Sequence, residues 1–321
     1  MRVHLIDVGQ GLAVLLEFSC AAVLVDVGGE GNEKFDSAAA LSKYLLRFFI
    51  RRPDLHRTLA LVVLTHPHRD HTANIELVAG QYTIQNVVTD GLAEGSGAKG
   101  QVWLHEWAES HKVPLFKVDA NAVPAGGLTN AVIDPVQCGD EDPQLSVLWG
   151  APSDAPAGWS WRAYNNGNNQ SVALRVGFGK ATVLLTGDLE GEALHSMITK
   201  HAGTNVIHAD VWQVSHHGSE HGATQEFIDA TAPEIALMGT GAPTREVEWS
   251  AWAYGHPRLK IVEMLDRKIT RERPTVDVQV ADEPRTFEPY ALSHAIYATG
   301  WDGSVLVDVD SDGKLRVRTT R

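Results

Sequence analysis

The chain has 321 residues, 44% of them hydrophobic, and 40 Asp and Glu against 27 Lys and Arg give a net charge of −13. That length leaves one large domain or two small ones open, while the apolar content excludes a disordered chain. The negative balance excludes a general attraction to nucleic acid or anionic membrane, so action on DNA would need a local basic patch or metal ions.

The first 66 residues contain "VHLIDVG", "LAVLLEF", "AAVLVDVG" and "LALVVLTH". Short runs of Val, Leu and Ile that end in Gly or Asp read as buried strands. Between the last two, residues 37–52 place Leu41, Tyr44, Leu45 and Phe48 at helical spacing. "TANIELVAGQ" reads as a helix with Thr72 near its start, "TIQNVVTD" as a strand and "VWLHEWAESHK" (102–112) as a helix. Residues 119–170 break this rhythm: Pro, Gly, Asn and Asp punctuate short apolar pieces such as "LSVLWG", which suggests strands joined by irregular loops.

Alternation then resumes. "QSVALRVGFG" and "ATVLLTGD" read as a hairpin, "GEALHSMITKHAG" as a helix, and "DVWQVSHHGS" as a strand running into a polar loop. "TQEFIDATA" is a helix, "EIALMGTG" a strand and "HPRLKIVEMLDRK" a helix, and the tail closes with two strand-like runs around Asp312-Gly313. No solenoid repeat or compositional break is present. The expectation is an α/β (α+β) chain with residues 1–321 in a single domain: two sheets packed face to face, helices outside. No apolar run approaches the ~18–20 residues of a membrane span, and the N-terminus lacks the uninterrupted apolar stretch of a leader. Cys20 and Cys138 are too few for a disulfide framework, so two reduced thiols in a soluble, cytoplasmic protein are expected.

The chemistry concentrates in "VVLTHPHRDHTANIEL" (62–77). His66 and His68 stand two apart at a strand end, so both imidazoles point the same way, and Pro67 favours the extended backbone this needs. Asp70 and His71 follow where the chain turns into a helix and can face the same cavity. Imidazoles with a carboxylate suit Zn²⁺ or Mn²⁺. Further ligands must come from elsewhere, and the candidates also follow apolar runs: Asp188, the pair His216 and His217, and His256. Of the pair, one reads as a ligand and the other as a neighbour or proton donor.

"THPHRDH" resembles the HxHxDH signature of the metallo-β-lactamase superfamily, and Asp26 in "LVDVGG" and Asp188 in "LTGD" fall where that superfamily has further acidic motifs. More specifically, "IDVGQG", "NNQSVALRVGFGKATVLLTGD", "DVWQVSHHGS" and "GHP" resemble, in order, the soluble metallo-β-lactamase domain of ComEC-type DNA-uptake proteins. The resemblance runs from Leu5 to "GSVLVDV". It implies an αββα sandwich of two mixed sheets with helices on both outer faces, and a metal-dependent hydrolase that cleaves DNA phosphodiesters. The membrane segments of the channel proteins are absent. Many superfamily members have a further ligand histidine before the aspartate. Here only His105 and His111 fall in that interval, both expected on a helix surface, and Asn168, Asn169 and Ser171 occupy the corresponding segment. Leu12 and Asn74 also depart from the usual pattern, and neither is expected to touch a ligand.

The implied site holds two divalent ions, Zn or Mn, the second less completely ligated. His66, His68 and a late histidine serve one ion, Asp70 and His71 the other, and Asp188 bridges, with His217 the preferred late ligand. Hydrolysis would proceed by metal-activated hydroxide, with Asp70, His216 and His256 taking part in the reaction and His216 or His256 protonating the leaving oxygen. Ser219, Asn169 and Ser171 are the expected substrate contacts. Arg267, Lys268, Arg271 and Arg273, and Lys314, Arg316 and Arg318, are the basic residues that could track a phosphate backbone. A small carboxyl substrate (lactone, thioester or β-lactam) and a non-catalytic metal-binding partner module are the alternatives. Protein partners in a larger assembly are compatible with either, and no membrane association is expected.

Overall fold

The computed structural model describes the whole chain, Met1–Arg321. An eight-stranded mixed sheet runs in the order Leu115–Lys117, Val87–Thr89, Leu61–Leu64, Ala22–Val25, Val14–Glu17, Arg2–Leu5, Val305–Val309, Leu315–Thr319. A six-stranded sheet runs Gln144–Trp149, Ala173–Phe178, Ala181–Leu185, Val211–Gln213, Ile235–Met238, Ile296–Ala298. Alternate residues of the two sheets, such as Val3, Leu5, Val23 and Val25 against Leu174, Val176, Val183 and Leu185, share one buried core.

Helices cover both outer faces. Ser37–Arg51 starts at Asp36, whose carboxylate accepts the Ala39 N–H, and buries Leu41, Leu45, Phe48 and Phe49 on one stripe. That stripe, with Ile75, Val78 and Leu104, packs on the outer side of the eight-stranded sheet. Gly191–Lys200, Gln225–Thr231 and Leu259–Lys268 bury Leu194, Met197, Phe227, Ile228, Ile261 and Leu265 against the six-stranded sheet. The result is the αββα sandwich.

In both sheets the central strands are parallel: Ala22–Val25, Leu61–Leu64 and Val87–Thr89 in one, Ala181–Leu185, Val211–Gln213 and Ile235–Met238 in the other. Parallel strands deliver all their C-terminal loops to one edge of a sheet, where ligands bind in open α/β proteins. Asp26, His66, Asp188 and His217 all lie in such loops.

Several expectations need correcting. Cys20 and Cys138 are joined in a disulfide that ties the turn before Ala22–Val25 to the segment leading into Gln144–Trp149. The thiols are not free, and the cytoplasmic reading loses that support. No helix is long and apolar enough to cross a membrane. The helix after the histidine cluster begins earlier than Thr72 and is broken into Arg69–Thr72 and Ile75–Gln81. The irregular region 119–170 contributes one strand to the main sheets rather than several. A long antiparallel hairpin, Glu272–Glu283 with Thr286–His294, was not anticipated, because Pro274 and Pro289 disguise its pattern.

Candidate metal centre

Asp70, His71, Asp188 and His217 each present a ligand atom within 4.8 Å of all the others. Asp188 is the hub. Its Oδ1 lies 3.2 Å from His71 Nε2, and its Oδ2 lies 3.4 Å from His217 Nε2 and 4.0 Å from both His66 Nε2 and His216 Nε2. Asp70 Oδ2 stands 3.3 Å from His217 Nε2. The late histidine therefore sits with Asp70 and His71, not with His66 and His68 as expected. His68 is brought beside His66, ring centroids 4.5 Å apart, rather than into the four-residue cluster.

The remote nitrogens of the three buried imidazoles are occupied. His71 Nδ1 lies 2.7 Å from Asp26 Oδ2, His217 Nδ1 donates to the Gly239 carbonyl at 2.7 Å, and His66 Nδ1 meets the Ser171 and Thr65 hydroxyls at 3.2 Å. Each ring is thereby locked with Nε2 turned into the site, and these three Nε2 atoms and Asp188 Oδ1 have no hydrogen-bond partner. Buried polar atoms are seldom left this way without a ligand to receive them. Locked imidazoles backed by a carboxylate or carbonyl are how proteins hold divalent metals, so this donor set fits them.

A sequence profile of the metallo-beta-lactamase superfamily matches residues 6–241. The chain belongs to that superfamily. Its coarse chemistry follows: a metal-dependent hydrolase fold that binds divalent ions. The chain is 25% identical to ComE operon protein 3 of Bacillus subtilis over 307 residues, covering 90% of this chain and 34% of the relative. It is 23% identical to Recombination protein 2 of Haemophilus influenzae over 280 residues, covering 87% of this chain and 28% of the relative. It thus spans about a third or less of these relatives' length. The metallo-beta-lactamase fold protein YhfI from Bacillus subtilis aligns over 74% of this chain and 84% of its own, at a TM-score of 0.40 and 14% identity.

Close backbone packing aims the candidate ligands. Leu12 N–H donates to the Asp70 carbonyl at 3.0 Å and Val27 N–H to that of His71 at 2.8 Å. A Cβ on Gly28 would fall 1.7 Å from the Asp70 carbonyl oxygen, so only glycine lets the two segments meet. Leu12 thus does touch a candidate ligand residue, Asp70, through its backbone, and Asn74 Nδ2 donates to the Gly28 carbonyl at 3.1 Å. On the other sheet the Gln213 amide aims Asp188. Its Oε1 accepts the Thr186 and Gly187 N–H groups at 2.9 Å, and its Nε2 donates to the Gly187 and Val214 carbonyls. His216 and His217 are consecutive residues in the left-handed region, φ 50° and 55°. This strained pair sends one ring to Asp70 and Asp188 and the other towards Glu190, whose Oε1 lies 3.3 Å from His216 Nδ1.

Burial alone would push every imidazole down. At His66 burial wins, aided by His71, and the ring lies well below the ordinary histidine range. At His71 the Asp188 and Asp26 carboxylates outweigh burial and hold the ring well above that range. Asp188 and Asp70 do the same at His217, raised to about 9. Both carboxylates are held low in spite of burial by His217 and His71. Glu190 is drawn down to about 2 against its burial by His216 and Asn168. His256, buried and stacked on His217 at 24°, is pushed well below the usual value by burial and by its histidine neighbours. Gln10 Nε2 lies 3.1 Å from His256 Nδ1 while Gln10 Oε1 faces the Gly241 N–H. Nδ1 is therefore the acceptor, and Nε2 carries the proton.

The remaining expected residues are placed differently. Asn169 spends its side chain on the Ala163 carbonyl and the Glu190 N–H, and Ser171 spends its hydroxyl on the Asn168 carbonyl, the Asp188 N–H and His66. Both side chains are buried and engaged within the protein. Ser219 is buried with its hydroxyl unpartnered. His105 is no surface residue: half-buried, with Nε2 3.0 Å from the Thr89 hydroxyl, it is lowered to about 4 by burial. His111 is exposed and stacks on Trp107. Of the basic candidates, Arg267, Lys268, Arg271, Arg273 and Arg318 are ion-paired with Glu263, Asp229, Glu234, Asp302 and Asp308. The cation beside the metal centre is Arg69, which the sequence reading passed over together with Gln10, Glu190 and Gln213. Arg69 directly precedes Asp70, and that adjacency to a candidate ligand was the available signal of its place, though not of its being unpaired.

Proposed function

We propose that the chain is a metal-dependent phosphodiesterase acting on nucleic acid. The observation that carries this reading is Asp188, its carboxylate shared between two groups of buried imidazoles whose Nε2 atoms are free. His66, with His68 beside it, would hold one ion, and Asp70, His71 and His217 the other, with Asp188 common to both. What bound divalent cations supply is Lewis acidity, which makes water more acidic near neutral pH and counters phosphoryl charge.

The protein's own groups then have distinct tasks. His217, fixed by the Gly239 carbonyl, and His71, fixed by Asp26, keep their donor atoms in place. The neutral His256 ring offers its Nε2–H as a hydrogen-bond donor, and its low pKa makes it a poor proton carrier. His216, with Glu190 behind Nδ1, would carry a proton at Nε2 to the leaving oxygen. Arg69 stands in the cleft beside Asp70 with no ion pair, a ready counter-charge for a phosphate. A relative bearing the name Recombination protein 2 supports nucleic acid as the substrate class.

The test is turnover with Mn²⁺ or Zn²⁺ against bis-p-nitrophenyl phosphate, single- and double-stranded DNA, RNA and a lactone panel. Phosphodiester cleavage that disappears in Asp188→Ala is the expected result. Lactone turnover without phosphodiester cleavage would overturn the reading.

A further inference from the structure

On the Asp70 side the metal centre opens into a cleft of about 210 Å³, walled by Gln10, Glu30, Arg69, Asp70, Trp249 and Tyr254. Two of its walls are unusual for a protein surface. Trp249 is 66% exposed and has φ 61°, a conformation that a bulky L-residue avoids. The loop that holds it is nevertheless braced: Glu248 is ion-paired with Arg285, and Ser250 caps the helix Ala251–Tyr254. The indole is thus held out in solvent by a built turn.

From Trp249 a series of rings leads inward. Its centroid is 6.4 Å from that of Tyr254. Tyr254 lies 5.8 Å from His256 at 23°, and His256 lies 6.1 Å from His217 at 24°. The rest of the lining is polar. Glu30 does not repel an anion there, because Arg245, Asn32 and the Gln10 N–H neutralise or occupy its carboxylate. The Arg69 guanidinium makes no ion pair and no hydrogen bond within the protein, so one cleft is lined by both a free cation and an exposed aromatic.

An aromatic face beside a free guanidinium is the arrangement by which proteins hold single-stranded nucleic acid, the base by stacking and the backbone by charge. Resting on the phosphodiesterase reading, we propose that this cleft is a subsite for one nucleotide of a single strand. The base stacks on Trp249, and its phosphate is held by Arg69 next to Asp70. Tyr254 and His256 continue the aromatic wall to the metal centre. A duplex keeps its bases stacked on one another and cannot use Trp249 in this way, so the subsite selects unpaired nucleotides.

The experiment measures binding of a short fluorescein-labelled phosphorothioate oligothymidylate, which resists cleavage, by anisotropy over a range of salt concentrations. Trp249→Ala weakens binding about tenfold and Trp249→Phe restores most of the loss. Arg69→Ala weakens binding and lowers the slope of log Kd against log salt by about 0.7, whereas Arg69→Lys keeps the slope. Circular dichroism and metal content confirm that the variants are folded and loaded. Trp249→Ala binding as tightly as the parent overturns the subsite, and so does a parent that prefers duplex to single strand. Those outcomes leave the phosphodiesterase reading standing if the parent still cleaves bis-p-nitrophenyl phosphate. Lactone turnover alone removes both.

Discussion

The two halves of the metal centre reach the same cavity by different routes. His66, His68, Asp70 and His71 fall within six consecutive positions where one strand ends and a short helix begins, and backbone contacts from Leu12, Val27 and Gly28 clamp them. Asp188 and His217 come from separate loops of the other sheet, aimed by the Gln213 amide and by two consecutive left-handed residues. The early half is local and tightly packed, so its geometry follows from a short segment once the glycines let it close. The late half is assembled across the sandwich, and its geometry depends on the register of parallel strands and on a buried polar network.

The largest expected effect comes from removing what the halves share. Asp188→Ala lowers hydrolysis about a thousandfold or more and releases at least one ion per chain, as read by metal analysis; unchanged metal content would mean that the halves do not share this carboxylate. Next, Gly28→Ala tests whether the early half depends on backbone contact. The added methyl clashes with the Asp70 carbonyl, so stability falls by about 3 kcal/mol, a Tm drop of roughly 5–10 °C. An unshifted melting curve would show that the clamp is loose.

Asp26→Asn is subtler, because it leaves the chain packed and takes away the carboxylate behind His71. Metal affinity falls about 10- to 100-fold in a chelator competition. The smallest effect per step is one of pH, counted for each pH unit, and it separates the halves by slope. His66 is already neutral, whereas His217, raised to about 9, must give up a proton to accept a metal. His71, also raised, must do the same, so affinity of their side strengthens by about tenfold per pH unit for each proton released, while the His66 side stays flat. In the metal-free protein the same shift acts on stability. The folded value of His217 lies above the unfolded one, so its contribution is complete below about pH 6.5 and is lost as pH rises through about 9.

The early half was legible because its residues are neighbours in the chain. Strand-end placement and i, i+2 spacing suffice to aim two imidazoles, and an aspartate and histidine in the next turn complete the set. Asp188 and His217 were legible only as acids or imidazoles that follow apolar runs. Their grouping was misjudged, since which late histidine joins which early ligand depends on how two sheets are placed. Asn169 and Ser171 looked like substrate contacts for the same reason: a polar residue near a site has no direction until the fold closes. Arg69 and Trp249 were missed because nothing in a linear pattern tells an ion-paired cation from a free one, or a buried indole from an exposed one.

By itself the sequence determined the alternation of strands and helices, the αββα class and the residues able to bind metal, because hydrophobic periodicity and donor chemistry are local properties. The tertiary structure alone decided the disulfide between Cys20 and Cys138, the pairing of His217 with Asp70 and the tautomer that Gln10 imposes on His256. It also decided that the free guanidinium of Arg69 and the exposed indole of Trp249 line one cleft. Each of these joins residues far apart in the chain, and burial and partner choice exist only once two sheets have packed together.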